Sequence, residues 1–370
     1  MVNISYSPNC RYFLGDQPCK FKRTCSKCPQ YNPMGQRILI VKLAAIGDVI
    51  RTTPILSGLK RAYPCSHITW VVDKEAYPLL KSNPYIDRLL TFDFSSLLPL
   101  ELETFDLIIG LEKDSRGAAL VSKLKAHVKK GFGYGSEGNI YPINRASEYA
   151  FLLGLDDELK YYQNKKTYPE TIFEMAELNY QKDEYQLFLS QEDKDFAKIF
   201  AKVYLGEEKK VIGLNTGTGN GFVNKAWTVE GYIQLINQLQ KDSIHLLLLG
   251  GPNEKERNAK IGWEVCKANG KTITSGCENT LGQFAALINL CDVVVSGDTM
   301  ALHIAIALKK KVVAIFGPSC PQEVELYGRG EKVVTSISCA PCSRRECENK
   351  PSCMDTINPE EVIKAIQKLI

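Results

Sequence analysis

A single aspartate after the first strongly apolar segment is the leading candidate for a catalytic base. Asp48 follows Gly47 in a turn that comes soon after the apolar run 37–42. A carboxylate in this position could take a proton from a sugar hydroxyl. It could equally cap the next helix, because Asp is preferred at helix amino termini and the helix dipole favours its charge. Gly47 belongs to this turn, and Arg51 and Thr52 on the following turn add polar groups to the same opening, where a hydroxyl acceptor is expected.

The most specific turn lies much later in the chain, at residues 295–303. Asp298 is predicted to end a strand, and Thr299 and Met300 to begin the next helix. The open amino end of a helix binds anions. The Thr299 hydroxyl and the first helical amides could therefore bind phosphate while Asp298 reaches sugar hydroxyls. His303 alone would more often be a structural histidine, but its place one turn inside this helix makes it a donor-site candidate.

Two further turns could contact a nucleotide. Residues 215–221 form a loop rich in glycine and hydroxyl groups, which can bring backbone N–H groups close to phosphates. Its candidate contacts are Thr216, Gly217 and Thr218. Lys225 follows, and it either neutralises a diphosphate or is simply solvated. Glu254, after a later strand, could accept hydrogen bonds from ribose hydroxyls.

Cysteine is unusually frequent, with 13 in the chain, and nine of them, counting Cys320, fall in two clusters near its ends. Clustered cysteines in a reducing compartment are more often metal ligands than disulfides. Both clusters therefore predict structural zinc or iron in preference to free thiols or a redox cluster. Two separate sites and one site shared by both ends are both open. The ligands are Cys339, Cys342, Cys347 and Cys353, with Cys10, Cys19, Cys25 and Cys28 as the second set.

Alternating apolar strands and helices must position these turns. Two series of strands, beginning at Arg37 and at Lys209, predict an α/β fold with two Rossmann-like, doubly wound domains facing across a cleft. Ligands bind outside the carboxyl ends of such strands, where the candidate turns lie. One helix is expected over Val49–Ala62 and another over Ser115–His127, whereas residues 136–185 lose the alternation.

Four segments are predicted from this pattern. The terminal helix is expected to pack back on the first domain, because the last helix of such folds often crosses over. The segments are a cysteine-rich extension over 1–36, a first Rossmann-like domain over 37–185, a second Rossmann-like domain over 186–357 that includes the cysteine segment 339–353, and the terminal helix over 358–370.

The overall composition argues against nucleic-acid binding and against a membrane-spanning protein. The formal net charge is only +4, from 46 basic and 42 acidic residues, so no broad positive field is expected. No apolar run reaches the roughly 18 residues that cross a bilayer, and residues 1–10 lack the order of a signal peptide. A cytoplasmic protein is expected, and one with a lipid-linked acceptor would work at the inner face of the membrane.

From Arg37 onwards the chain resembles glycosyltransferase family 9, the heptosyltransferases. Two motifs carry the resemblance, Ile38-Leu39-Ile40-Val41-Lys42-Leu43…Gly47-Asp48-Val49 and Ser296-Gly297-Asp298-Thr299-Met300…His303. The resemblance implies the GT-B fold, ADP-heptose as donor, and an inverting transfer to a lipopolysaccharide core sugar or a protein serine or threonine. A peripheral contact with the membrane would accompany a glycolipid acceptor.

The resemblance also assigns roles to individual residues. The catalytic aspartate of the family falls on Asp48, its donor-phosphate lysine on Lys225, and its sugar-diphosphate turn on Asp298, Thr299 and His303. No divalent metal is then expected in catalysis, because protein groups stabilise the leaving ADP. Many members of the family carry a cysteine segment like 339–353.

The chain departs from the family pattern at two positions. Met300 stands where the family often has glycine, and Arg51 stands where many members have histidine. Two other interpretations stay open beside a heptosyltransferase. One is a GT-B transferase that uses another nucleotide sugar, and the other is a non-catalytic module that binds a nucleotide sugar or a metal.

Overall fold

The computed structural model describes residues 6–206, 209–218, 222–240 and 243–370. The described strands form two six-stranded sheets, one in each half of the chain. In both sheets the chain moves outward from a central strand, first in one direction and then in the other, which is the order of a doubly wound α/β fold. The predicted pair of α/β units is therefore confirmed.

Six strands form the first sheet. They are β1 (Arg37–Val41), β2 (His67–Val72), β3 (Arg88–Thr91), β4 (Thr104–Gly110), β5 (Lys125–Tyr134) and β6 (Ile140–Pro142). Their order is β3-β2-β1-β4-β5-β6, and only the last pair is antiparallel. Ile38, Leu39 and Ile40 of β1 are fully buried, as expected for a central parallel strand covered on both faces.

The helices of the first half surround this sheet. They are α1 (Ile46–Thr52), α2 (Ile55–Ala62), α3 (Tyr77–Leu80), α4 (Phe94–Leu100), α5 (Ser115–Lys123), α6 (Glu148–Leu152) and α7 (Tyr168–Met175). The single helix expected over Val49–Ala62 is in fact two, α1 and α2. Pro54 separates them, because proline has no backbone N–H with which to continue the hydrogen bonds of α1.

The helix expected over Ser115–His127 is also shorter than predicted. It ends at Lys123, and the next residues enter β5, which pairs in parallel with β4. The lysines and histidine of β5 give it no apolar pattern of its own, so pairing with a buried neighbouring strand decides its conformation. Residues 136–185 contain β6, α6 and α7 rather than further sheet-and-helix alternation.

The second half repeats the architecture with parallel strands. They are β7 (Lys210–Asn215), β8 (Ile244–Leu249), β9 (Ile273–Thr274), β10 (Val293–Gly297), β11 (Lys311–Phe316) and β12 (Gly330–Val334), in the order β12-β11-β10-β7-β8-β9. The helices are α8 (Gln191–Phe200), α9 (Val229–Leu239), α10 (Lys255–Lys267), α11 (Leu281–Leu290), α12 (Met300–Ala307) and α13 (Pro359–Leu369).

The terminal helix α13 stays with the second domain, which corrects the expectation that it packs back on the first. It packs against α9, β11 and β12. Its apolar face, with Val362 and Ile366, lies in one cluster with Ile212 of β7 and Tyr232 of α9. An ion pair between Lys368 and Glu331 (3.0 Å) adds to this packing. The buried apolar surface of the second sheet is therefore what holds α13.

The two halves meet through their helices. Residues 176–190 connect α7 to α8, and the predicted domain boundary at 185/186 falls inside this segment. Ile50 of α1 and Leu79 of α3 lie in the same apolar cluster as Leu302 of α12. Gly47 shows how close the approach is, because a Cβ atom there would lie 2.9 Å from Cδ2 of His303. Only a glycine lets α1 and α12 come this near.

The amino-terminal extension lies at the far end of the first sheet. Arg11 pairs with Asp87 and donates hydrogen bonds to the carbonyls of Ser66 (2.9 Å) and Cys65 (3.2 Å), just before β2 begins. This is the amino end of the strands, opposite the edge where the candidate turns lie. In the part of the chain that the structure describes, no helix is long and apolar enough to cross a bilayer.

Candidate functional site

A cleft between the two sheets contains most of the predicted site residues. Its volume is about 810 Å³, and the carboxyl ends of strands from both domains line it. Backbone turns at this edge of doubly wound sheets are where ligands bind. The predicted residues that line it are Gly47, Asp48 and Arg51 from the first domain, and Gly217, Thr218, Lys225, Glu254, Asp298, Thr299, Met300 and His303 from the second.

Asp48 lies in the first turn of α1, with 37% of its side chain exposed to the cleft. The residue at the N-cap position is Ala45, so the capping role considered for Asp48 is wrong, although a carboxylate here still interacts favourably with the helix dipole. Burial would by itself raise the pKa of Asp48, but Arg51, Lys42 and His303 outweigh burial and hold this pKa below its usual range. Asp48 is therefore ionised at neutral pH.

A buried pair, Lys42 and Glu112, supports the turn that carries Asp48. One carboxylate oxygen of Glu112 accepts hydrogen bonds from Lys42 Nζ (3.2 Å) and from the backbone amides of Leu43 (3.0 Å) and Ala44 (3.1 Å). Lys42 Nζ in turn lies 3.9 Å from Oδ2 of Asp48. The sequence interpretation did not assign either residue, although charged residues directly after buried strands were a usable signal.

Arg51 joins Asp48 to the second domain. Its Nε lies 3.0 Å from Oδ1 of Asp48, and its Nη1 lies 3.8 Å from Oε2 of Glu323. The guanidinium also stacks on the ring of Tyr168, at 3.9 Å from the ring centre, a favourable cation–π contact. Tyr168 and Glu323 are distant from Arg51 in sequence, so no local pattern could have identified them.

On the opposite wall, Asp298 is the centre of a charged group. Its Oδ2 lies 3.0 Å from Nζ of Lys225, and its Oδ1 lies 3.4 Å from Nε2 of His303. Burial would raise the pKa of Asp298, but His303, Lys225 and Arg51 lower it far below the usual range. Asp298 is therefore a fixed carboxylate that holds a lysine and a histidine at the entrance to α12.

The amino end of α12 is arranged to receive a ligand. Thr299 is the N-cap residue, but its hydroxyl contacts Asn215 Nδ2 (3.2 Å) and Ser296 Oγ (3.1 Å) instead of capping the helix. The first amides of α12 consequently point into the cleft without a side-chain cap from the described residues. An uncapped helix amino end attracts anions through its N–H groups and dipole.

Gly217 and Glu254 form the third part of the donor wall. A Cβ atom on Gly217 would lie 2.2 Å from Oε1 of Glu254, so the loop and the carboxylate come together only because residue 217 is glycine. Oε2 of Glu254 accepts a hydrogen bond from the amide of Gly251 (2.8 Å). Residues 219–221 of the predicted loop lie outside the described residues.

Two predicted contact residues do not reach the cleft. Thr216 is fully buried, and its hydroxyl contacts Oδ1 of Asn258 at 2.5 Å. Thr52 is also fully buried, and its hydroxyl donates to the carbonyl of Asp48 (2.6 Å) and contacts Tyr168 (3.0 Å). Both hydroxyls satisfy buried partners, which corrects the expectation that they contact ligands.

The two cysteine sets lie in different places. The amide of Cys342 donates to the carbonyl of Pro318 (2.9 Å), which places the second set beside the carboxyl end of β11 near the cleft. The first set lies beside Arg11 at the amino end of β2, whereas the cleft lies at the carboxyl ends of the strands. The six residues of β2 alone span about 20 Å, so the two sets are much farther apart than the roughly 2.3 Å of a metal–sulfur bond allows. One site shared by both sets, the second alternative, is therefore wrong.

The thiols of both sets are free. Burial is the main cause that raises the pKa of Cys353 to about 11, and the thiols of Cys342, Cys347 and Cys339 add to this rise. Within the described ranges, however, no three His, Cys, Asp or Glu side chains have the arrangement of a bound metal ion. The predicted metal sites are thus not shown by the structure.

Comparisons with known sequences support the predicted family. The sequence model of glycosyltransferase family 9 (heptosyltransferase) matches residues 99–352, which is more than half of the chain. The lipopolysaccharide core heptosyltransferase OpsX of Haemophilus influenzae is 24% identical over 319 residues. That alignment covers 83% of this chain and 86% of OpsX.

Solved structures share the fold over nearly the whole chain. A glycosyl transferase of family 9 from Veillonella parvula matches with a TM-score of 0.71 at 22% identity, covering 90% of this chain and 97% of that one. The ADP-heptose lps heptosyltransferase II of E. coli matches with a TM-score of 0.66 at 20% identity, covering 90% and 98%. The predicted two-domain GT-B fold is confirmed by these likenesses.

Proposed function

This chain belongs to glycosyltransferase family 9, the heptosyltransferases, and we propose that it transfers heptose from ADP-heptose to a hydroxyl of a lipopolysaccharide core. The observation that carries the proposal is the cleft, where the ionised carboxylate of Asp48 faces Lys225 and the uncapped amino end of α12. The donor is proposed because the E. coli relative is named for ADP-heptose, and the acceptor because OpsX is named for the lipopolysaccharide core.

In the proposed reaction Asp48 is the general base. It accepts the proton of the acceptor hydroxyl while the hydroxyl oxygen bonds to the anomeric carbon of the donor sugar. The bond from that carbon to the diphosphate oxygen breaks on the opposite side, so the configuration inverts. Arg51 and Lys42 support this role, because both favour the ionised form of Asp48 that can accept a proton.

The second domain stabilises the leaving ADP. Lys225 and the first amides of α12 offer positive charge where the diphosphate departs. Asp298 holds Lys225 at 3.0 Å, so the lysine is positioned before the donor binds. Gly217 and Thr218 line the same wall and are proposed to contact the phosphates, and Glu254 is proposed to accept from the ribose hydroxyls.

We propose that no divalent metal takes part in this step. A diphosphate leaving group needs its developing negative charge neutralised, and Lys225 and the α12 amino end line one wall of the cleft where they can do so. The ionised Asp298 is already paired with Lys225 and His303. We therefore expect protein dialysed against a chelator to transfer heptose without added Mg²⁺.

The acceptor determines where the enzyme would work. A lipopolysaccharide core is carried on a lipid, so the proposed reaction takes place at the cytoplasmic face of the inner membrane, with a peripheral contact. The acceptor half of the cleft includes Arg51, Lys160, Asp73 and Glu75 from the first domain. These side chains offer hydrogen bonds and charge to a sugar acceptor rather than an apolar surface.

We also propose that the carboxyl-terminal cysteines hold structural zinc or iron. The fit is supported by the residue types, since residues 339–353 supply four cysteines and four thiolates suit either metal. Ser343 of this segment lines the cleft, and its amide donates to the carbonyl of Pro318 (2.8 Å). When bound, the metal would supply a cross-link that keeps this wall of the cleft rigid.

The test of the proposed function is an assay of ADP release with ADP-heptose and a purified lipopolysaccharide core. Wild-type protein should release ADP only when the acceptor is present. Asp48→Asn should lower kcat by about 10²-fold or more, because general-base catalysis typically contributes 10²–10⁴. A matched control is Asp195→Asn, which changes an exposed aspartate of α8 outside the cleft and should keep the wild-type rate.

Other outcomes identify other functions. Equal kcat in Asp48→Asn and wild type would rule out Asp48 as the base. Consumption of a different nucleotide sugar, in a panel of donors, would replace ADP-heptose. Transfer to a protein serine or threonine in place of the lipopolysaccharide core would change the acceptor class. Binding of ADP-heptose with no turnover of any donor would make the chain a binding module.

A further inference from the structure

The four amino-terminal cysteines surround one cavity. Cys10, Cys19, Cys25 and Cys28 are separated by up to 18 positions, yet all four line a single cavity of about 180 Å³. None of the four is in a disulfide, and each is partly exposed. Aromatic side chains complete the lining, among them those of Tyr12, Phe13, Phe21 and Tyr31.

The backbone forms the same kind of hydrogen-bonded turn at all four cysteines. Each cysteine begins a turn that is closed by a hydrogen bond from the amide three residues later to the cysteine carbonyl. The donors are the amides of Phe13 (2.9 Å), Lys22 (2.8 Å), Cys28 (3.3 Å) and Tyr31 (3.2 Å), bonded to Cys10, Cys19, Cys25 and Cys28 respectively. The same kind of turn thus occurs at each of the four cysteines that line the cavity.

The extension has little else to hold it together. In its described residues, 6–36, the regular structure is one isolated bridge between Cys10 and Pro33. None of the four apolar clusters among the described residues includes a residue before Ile38. A segment this short without a core of its own usually needs disulfides or a structural metal. The free thiols leave the metal as the cross-link.

The charge of the extension also suits thiolate ligands. Residues 6–36 contain five basic side chains and one aspartate. Four of the basic residues, Lys20, Lys22, Arg23 and Lys27, lie between Cys19 and Cys28 in the sequence. Nearby cations lower the cost of ionising a thiol, and they offset the net negative charge of four thiolates around a divalent ion.

We propose that Cys10, Cys19, Cys25 and Cys28 bind a thiolate-preferring metal, as a zinc ion, an iron ion or an iron–sulfur cluster, which fastens the extension to the first domain. The bound group takes the space of the cavity, and the four turns close on it. Arg11 is next to Cys10 in the sequence, and its contacts with Asp87 and the Ser66 carbonyl connect the metal-bound extension to the first domain. The site is independent of the proposed transfer reaction, because it lies at the other end of the first sheet.

The first test uses the wild-type protein and does not depend on any variant folding. The native protein, purified without chelator, is treated with iodoacetamide, and the modified cysteines are mapped by mass spectrometry. Since the four thiols are partly exposed, they should react readily if free; the proposal expects them to be protected until denaturation in the presence of a chelator removes the metal. Cys65, which is exposed, is the internal control and should react at once.

The second test measures metal content. Elemental analysis should show that Cys25→Ser/Cys28→Ser has lost metal relative to wild type, while Cys266→Ser, at an exposed cysteine of the second domain, has not. Zinc or iron in the elemental analysis, together with an assay of acid-labile sulfide, identifies which form is bound. The carboxyl-terminal cysteines are unchanged in both proteins, so they do not affect the difference.

Three results would overturn the proposal. They are rapid alkylation of the four cysteines in native protein, equal metal content in the double variant and the control, and a non-reducing mass that reveals disulfides between these positions. Loss of metal with retained heptosyl transfer would still support the site. Conversely, failure of the transfer assay would not change the measured metal content, so the metal site and the transfer reaction are tested independently.

Discussion

Glu112 has a carboxylate that accepts four hydrogen bonds but does not line the cleft. The side chain is 7% exposed. One oxygen accepts from Lys42 and from the two amides that lead into the turn before α1, and the other accepts from the amide of Asp114 (3.4 Å). A charge in such a position is stable only because it is paired and hydrogen-bonded. Its effect on chemistry must therefore pass through the backbone and through Lys42 to Asp48.

We expect Glu112→Gln to lower kcat about tenfold while the KM for the donor stays near the wild-type value. The amide removes the negative charge that balances Lys42 and disturbs the turn, whereas the donor turn lies on the other domain. The free energy of unfolding should also fall by about 1–3 kcal/mol, the usual cost of disrupting a buried hydrogen bond. Steady-state kinetics and thermal unfolding check both effects.

The control for this substitution is Glu103→Gln. Glu103 pairs with Arg37 and Arg88 at the amino ends of β1 and β3, away from the cleft, so kcat should not change. If Glu112→Gln raised the donor KM with no change in kcat, the positioning role assigned to Glu112 would be excluded.

The pH profile tests the charges around Asp48. Its pKa is held below the usual Asp range, which lies near 4. A base works in its ionised form, so activity is full above the pKa and is lost as pH falls through it. We expect wild-type kcat to show no fall attributable to Asp48 between pH 7 and pH 5. Arg51→Gln removes the nearest cation, so the pKa should rise and the loss of kcat should begin at a higher pH.

This outcome is measured as kcat at saturating substrates from pH 4 to pH 8. Protein exposed to each pH and returned to pH 7 must recover full activity, which separates titration from unfolding. If the loss of kcat at acid pH began at the same pH or at a lower pH in Arg51→Gln, the assignment of Asp48 as a base whose pKa is lowered by Arg51 would be wrong.

At the scale of the elements, the close contact of α1 with α12 depends on Gly47. A methyl group there would lie 2.9 Å from Cδ2 of His303, which is closer than such contacts allow. We expect Gly47→Ala to push α1 and α12 apart, with a fall in kcat and a rise in the donor KM together. The reason is that His303 and Asp298 share one hydrogen-bonded group with Lys225.

Gly262→Ala is the matched control. Gly262 lies within α10, and a Cβ atom there would be 3.7 Å from Oγ1 of Thr272, an ordinary contact. Alanine in a helix is favoured over glycine by roughly 1 kcal/mol, so this variant should be fully active and slightly more stable. Normal kinetics in Gly47→Ala would mean that the two helices are farther apart in the working enzyme.

The elements also show what the sequence could and could not predict. Asp298, Thr299 and His303 were correctly predicted to lie together at the cleft, because a strand end and a helix start are close in sequence. Asp48 was placed at the cleft in the same way, whereas the cap role considered for it was wrong, since Ala45 holds that position. The chemical roles of these residues stay predictions. Thr216 had the right residue type in the right loop, but its side chain faces the interior, and side-chain direction depends on packing that a loop pattern does not encode.

Contacts between residues that are far apart in the sequence could not be predicted. Tyr168 and Glu323 contact Arg51 from elements far along the chain. Pairing with β4, rather than any pattern within Lys125–Tyr134, makes β5 a strand. Likewise α13 was assigned to the wrong domain because its amphipathic pattern shows that one face is buried, but not which sheet buries it.

At the scale of the whole molecule, the cleft is closed by polar contacts between the domains. Arg51 of the first domain lies 3.8 Å from Glu323 of the second, and the Gln322 side chain donates to the carbonyl of Lys160 (3.1 Å). Arg51, Glu323 and Lys160 line the same cavity as Asp48. Closing a cleft of this kind excludes water, which protects a reactive sugar donor from hydrolysis.

We expect Glu323→Gln to loosen this closure without removing a group of the proposed chemistry. The pair is partly exposed, so its loss should cost no more than about 1 kcal/mol, which is a several-fold change in the population of the open form. Water then enters more often, and ADP released without acceptor should rise relative to ADP released by transfer. The measurement is ADP release from ADP-heptose with and without the core acceptor.

Lys368→Gln is the comparison for this prediction, because it removes an ion pair, Lys368–Glu331 (3.0 Å), that lies within the second domain and does not join the two domains. It should leave the ratio of hydrolysis to transfer unchanged. An unchanged ratio in Glu323→Gln as well would show that the packing of α1 on α12 is enough to close the cleft. Closure would then depend on the apolar contacts of Ile50 and Leu302, and the rim pair would serve only to orient Arg51 toward Asp48.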